Sequence, residues 1–185
     1  MMGTTRLGRT ISGRLRKRIN RRPSVILAQG VPWVSIMLGS LSPMWPLIAS
    51  APLLPPLGLL MLFSWRQVRP GLLPIWAGLP LGLFDDLYSG QPFGSAVLLW
   101  SLALIVLELI ETRFPWRHFL IDWLVSALLV CVYLLGSLML ANAAGGVVRL
   151  DTIAPQMIIS IVAIPLVGRL VAALDRFRLL PLVDV

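Results

Sequence analysis

The stretch GLPLGLFDDLYSGQPFG, residues 78–94, decides how this chain is read. Two adjacent aspartates, Asp85 and Asp86, end an apolar run that has no basic residue beside them. A glycine-marked turn follows at once. An apolar helix that stops at acids and then turns is one reaching the edge of a nonpolar medium, and the rest of the sequence supports that reading.

Of 185 residues, 57% are hydrophobic and 13% charged, and the mean hydropathy is +0.86. A soluble domain of this length cannot hide so much apolar surface, so the composition indicates an integral membrane protein. The apolar runs are near-continuous and do not alternate, which argues against a transmembrane barrel and for an all-α bundle. The one cysteine, Cys131, lies within an apolar run, so neither an internal disulfide nor a cysteine metal cluster is available.

The formal net charge of +8 is uneven. Residues 1–22 hold eight basic side chains and no acid, and the remainder is balanced. A hydrophobic segment follows this arm directly, so the arm is read as a cytoplasmic element held to an anionic leaflet, with no nucleic acid as partner. The apolar stretch after it is too long for the core of a cleaved signal, and a first uncleaved span is expected.

Six segments meet the length for crossing a bilayer, about 20 mostly apolar residues: 25–41, 47–64, 71–88, 94–110, 119–141 and 153–174. Pro52, Pro55 and Pro56 predict a kinked or partly non-helical second segment. The expected organisation is a basic arm over 1–22, a six-span domain over 23–178 and a short tail over 179–185. Cations alternate between connections. Arg66 and Arg69 fall in one, Arg113 and Arg117 in another, Arg176 and Arg178 in the tail, while SPMWP and SGQPF carry none. By the positive-inside rule both termini are expected in the cytoplasm. Trp45, Trp65, Trp116 and Trp123 fall near segment ends, where indole rings anchor at the headgroups.

In this topology Asp85 and Asp86 occupy the last turn of an outward third span. There a charge costs less than the roughly 2.5–3.5 kcal/mol of a helix centre. Gly71, Gly78 and Gly82 share one helix face by spacing, Asp85 continues it and Asp86 lies beside it. Such a face admits a close helix neighbour. Gly90 and Gly94 suit the tight turn that follows. Asp85 and Asp86 are read as a solvated or packing-locked helix end or as a partner contact, ahead of a catalytic set. There is no spaced aspartate array for phosphatidyl transfer, no paired histidines for a metalloprotease and no glycine-rich phosphate loop. The only histidine, His118, stands in a predicted cytoplasmic connection. No catalytic residue, cofactor or metal is expected. Glu108, Glu111 and Arg169 fall toward the cytoplasmic ends of their spans, where they either pair across helices or, for Arg169, snorkel to the interface.

The run SWRQVRPGLLPIWAGLPLGLFDDLYSGQPFG, residues 64–94, resembles the bacterial rod shape-determining MreD family. The positions that carry the resemblance are Trp65, Arg69, Pro70, Gly78, Gly82, Asp86, Leu87, Gly90 and Gly94, with the spacing to Leu87 favouring Asp86 over Asp85. The long basic arm and the proline-rich second segment depart from that pattern. The resemblance implies a multi-pass, non-enzymatic scaffold subunit of the bacterial inner membrane, within the cell-elongation machinery. It implies MreC, the actin-like MreB filament and a peptidoglycan polymerase and transpeptidase pair as partners. It also implies a fold similar to the substrate-binding subunits of energy-coupling-factor transporters, so a small-molecule-binding transporter subunit is the alternative. Polar residues within the spans are sparse, which favours the scaffold.

Overall fold

The computed structural model describes residues 25–44, 54–113 and 118–178. The basic arm, the tail 179–185, Trp45, Pro52, Trp116 and Arg117 lie outside the described residues.

Six α-helices follow in order: α1 Val25–Ser40, α2 Leu57–Val68, α3 Gly78–Tyr88, α4 Ser95–Arg113, α5 Phe119–Ala143 and α6 Leu150–Arg178. Short 3-10 turns cover Ser42–Met44 and Ile75–Ala77, and no strand occurs among the described residues. The last three helices, of 19, 25 and 29 residues, are long and apolar enough to cross a membrane. The first three have 16, 12 and 11 residues, short of the expected full-length spans.

Prolines and one glycine explain the shortening. The second segment was expected to open at residue 47, but helix α2 begins only after Pro55 and Pro56. The third was expected from residue 71, but Gly71 has φ +82° and cannot continue a right-handed helix. Pro74 then leads into the 3-10 turn before α3 opens at Gly78. The three-glycine face therefore reduces to Gly78 and Gly82.

Helix α2 is the hub. Eight of its twelve residues are buried, Leu59, Leu62 and Trp65 completely. A helix apolar on every side must be enclosed by others, and α2 packs against α1, α5 and α6. Trp65 is thus not a headgroup anchor: its indole N–H donates 2.9 Å to Ser35 Oγ of α1. In contrast, α5 and α6 turn Leu128, Val162 and Leu166 outward, each at least 65% exposed. Apolar surface of that extent suits lipid and not water.

Successive helices run back and forth, so the bundle has two ends. At the Asp86 end α3 gives way to α4, and Gly39 of α1 sits against Gly58 of α2. At the Arg66 end α2 meets the last turns of α4 and α6.

Candidate functional site

The Asp86 end is built by a close crossing of α3 on α4. A Cβ added to Gly78 would stand 2.9 Å from the Ser101 backbone, and one added to Gly82 would stand 2.8 Å from the Ala96 carbonyl oxygen. Only hydrogen fits at either position, so the two backbones touch. That approach carries the last turn of α3 to the first turn of α4.

Asp86 exploits the approach. Its Oδ1 accepts the Ala96 N–H at 2.8 Å and the Ser95 hydroxyl at 3.3 Å. Its Oδ2 accepts the N–H groups of Gly94 and Val97 at 3.0 and 3.2 Å. The opening turn of a helix has N–H groups without intrahelical acceptors and carries partial positive charge. Asp86 supplies both the acceptors and the negative charge from a neighbouring helix. Ser89 ends α3 with an N–H to Asp85 O bond of 2.8 Å. Gly90 and Gly94, at φ +68° and +92°, bring the chain round so that α4 opens beneath the carboxylate. Only residues tolerant of left-handed backbone fit there.

Asp85 is buried as well, at 7% exposure, but is not engaged in the same way. It stands beside Asp86 and the Ser40 hydroxyl, and Tyr133 of α5 lies close. The two aspartates thus divide: Asp86 closes the corner, whereas Asp85 faces inward among α1, α3 and α5.

At the other end the basic residues behave differently from expectation. Arg66 is not a loop cation but a buried one, at 1% exposure in the last turn of α2. It ion-pairs with Glu108 and Glu111 of α4, the latter at 2.6 Å, and donates to Leu73 O at 2.7 Å. Glu108 and Glu111 therefore pair with Arg66, not with Arg169, which is exposed on α6. Arg69 bonds to Asp175 at 3.2 Å, and Arg178 holds the same carboxylate at 2.8 Å while lying over the Trp65 ring. Arg113 ends α4 in the open. Two glutamates three residues apart on one helix face signalled a buried cation partner. The contiguity of Arg66 with the turn below it concealed which cation that is.

Most of the acids at the two ends are engaged in joining helices. Asp86 spends both oxygens on α4, and Glu108 and Glu111 hold Arg66. No cluster of histidine, cysteine and acid able to hold a metal occurs among the described residues. What the geometry provides is a helix corner fixed at one end and a charged latch at the other.

The model of the family described as rod shape-determining protein MreD matches residues 26–176, most of the chain and all six helices. The chain belongs to the MreD family. No curated protein and no solved structure matches it. Membership in the MreD family places this chain among membrane proteins that determine rod shape, consistent with its outward apolar helices. The family match spans both the Asp86 corner and the Arg66 latch.

Proposed function

We propose that this MreD-family chain is a non-enzymatic scaffold of the bacterial inner membrane. In this reading it binds MreC and links the MreB filament beneath the membrane to a peptidoglycan polymerase and transpeptidase pair. The observation that carries the reading is the match across residues 26–176 to a shape-determining family. The geometry supports it: buried charges are consumed in joining helices, and large apolar faces are left for lipid and protein neighbours.

The same reading makes the three shorter helices, with the segments beside them, complete a six-span bundle with both termini cytoplasmic and an arrangement similar to energy-coupling-factor substrate-binding subunits. The Arg66 end then faces the cytoplasm and the Asp86 end the outside, in accord with the alternation of cations. Depleting the protein in its host and restoring it from a plasmid tests the role. Rods should round up on depletion and recover on expression. Rods that persist after complete depletion would refute it.

A further inference from the structure

The outward face of α6 changes character along its length. Ile158, Val162, Leu166, Arg169, Ala173 and Arg176 follow at spacings of four, four, three, four and three, so they share one helix face. All of them are exposed. The first three make an apolar strip, at 65%, 69% and 69% exposure. The next three put two guanidinium groups on either side of a small residue, and Leu170 and Phe177 flank them.

Nothing in the described chain answers these two charges. Neither arginine is in an ion pair or hydrogen bond with a described residue. Asp175 lies about 100–120° round the helix from them, where Arg69 and Arg178 hold it. Glu108 and Glu111 are taken by Arg66. Arg178 shows the contrast: it turns inward over the Trp65 ring, whereas Arg169 and Arg176 turn away from the bundle.

The length of α6 places the pair at a membrane boundary. Its 29 residues make about 43 Å of helix, against a hydrocarbon core of about 30 Å. Counted from Leu150, that core ends near Arg169, and Arg176 stands in the headgroup layer beyond it. Side chains on a helix lean toward its N-terminus, which brings Ala173 and the level of Arg169 within reach of Arg176. The face is thus apolar along the acyl region and doubly cationic where phosphates lie. A second copy of the same face would set arginine against arginine, so a self-pair does not fit. A zwitterionic headgroup would bring a further cation to a place with no free acid.

We propose that this face of α6 binds an anionic phospholipid, its phosphate held between Arg169 and Arg176 and an acyl chain along Val162 and Leu166. Guanidinium groups suit phosphate oxygens, which they bond through paired donors. The assignment needs only the membrane setting and is independent of which proteins the chain binds.

Photolabelling of the purified full chain in phosphatidylcholine vesicles tests it. Trace phosphatidylglycerol or phosphatidylcholine carries a diazirine in one acyl chain, and the labelled residues are mapped by mass spectrometry. In the parent, the glycerol lipid should label residues 158–166 in preference to the choline lipid. Leu128 and Val132 of α5, outward-facing like that strip, should be labelled equally by both. Arg169→Gln with Arg176→Gln should lower the preference by up to about thirtyfold, the scale of two cations beside an anionic surface, while lysine at both positions should keep most of it. Unchanged labelling of α5 reports that these surface variants are folded. Glutamines in place of the arginines of the basic arm should leave the preference intact. Equal labelling of 158–166 by both lipids in the parent overturns the proposal and leaves an acidic protein segment as the counter-ion. A preference that survives the paired glutamine variant, or that vanishes with the arm's arginines, overturns the role of Arg169 and Arg176.

Discussion

The carboxylate of Asp86 and the backbone N–H of Ala96 meet at 2.8 Å, tying the last turn of α3 to the first turn of α4. The bond exists because Gly82 lets the helices touch. A helix start that would otherwise need its own cap is capped by the preceding helix.

Removing the cap should therefore loosen the corner. Asp86→Ala leaves four donors without their acceptor and should cost about 1.5–3 kcal/mol, the range for hydrogen bonds to a charged group. Asp86→Asn keeps one oxygen and should cost less than the alanine variant, since asparagine also serves as a cap. Thermal unfolding of the purified chain in detergent reads the order. Equal stability of all three would show that the cap contributes nothing.

Gly82→Leu should do more damage. Its Cβ meets backbone atoms of Ala96 and Val97, which cannot rotate aside as a side chain does. Overpacking of this kind costs about 1–3 kcal/mol or more, and the protein should fail to accumulate. Gly168→Ala on α6 is the control: nothing lies within 4 Å of its Cβ, so normal accumulation is expected. Membrane immunoblots of the two variants distinguish local contact from a general intolerance of glycine replacement.

The corner was largely legible in the sequence, because Gly78, Gly82 and Asp86 follow helical spacing and Gly90 and Gly94 mark the turn. What periodicity did not give was the acceptor's use. Asp86 reaches donors eight to eleven residues on, a relationship made by the chain's reversal and not by any helix face. Gly71 fits the same spacing but lies outside the helix, because a left-handed residue looks no different in a list of glycines. Arg66 was misplaced for a related reason. A cation near a predicted helix end reads as a loop residue, yet α2 runs on to Val68 and turns that side chain into the bundle. Trp65 followed it inward.

The Arg66 latch should behave as a buried ion cluster. Arg66→Met leaves the largely buried Glu111 and the part-exposed Glu108 without their cation and should cost no more than about 3 kcal/mol, the low end for a broken buried pair, because water screens Glu108. Combining it with Glu108→Gln and Glu111→Gln should recover much of that loss, because the uncompensated charge is then gone. Unfolding midpoints for the single, double and triple variants check the expectation. A triple variant no better than Arg66→Met would contradict it.

The basic arm should act by charge. Replacing its arginines with lysines should change little, whereas glutamines should weaken attachment to an anionic leaflet, each cation contributing up to about 1 kcal/mol. Protease accessibility of the arm in inverted vesicles measures the attachment. Loss in the lysine version would reveal a specific arginine contact instead.

The central claim is that this MreD-family chain works by holding other proteins. The direct measurement is quantitative affinity purification from its host's membranes, with MreC and the polymerase and transpeptidase pair counted per copy of the chain. The parent should carry all three in constant ratio, and Asp86→Ala, at matched membrane abundance, should carry fewer. A parent chain that purifies intact with none of them would contradict the account.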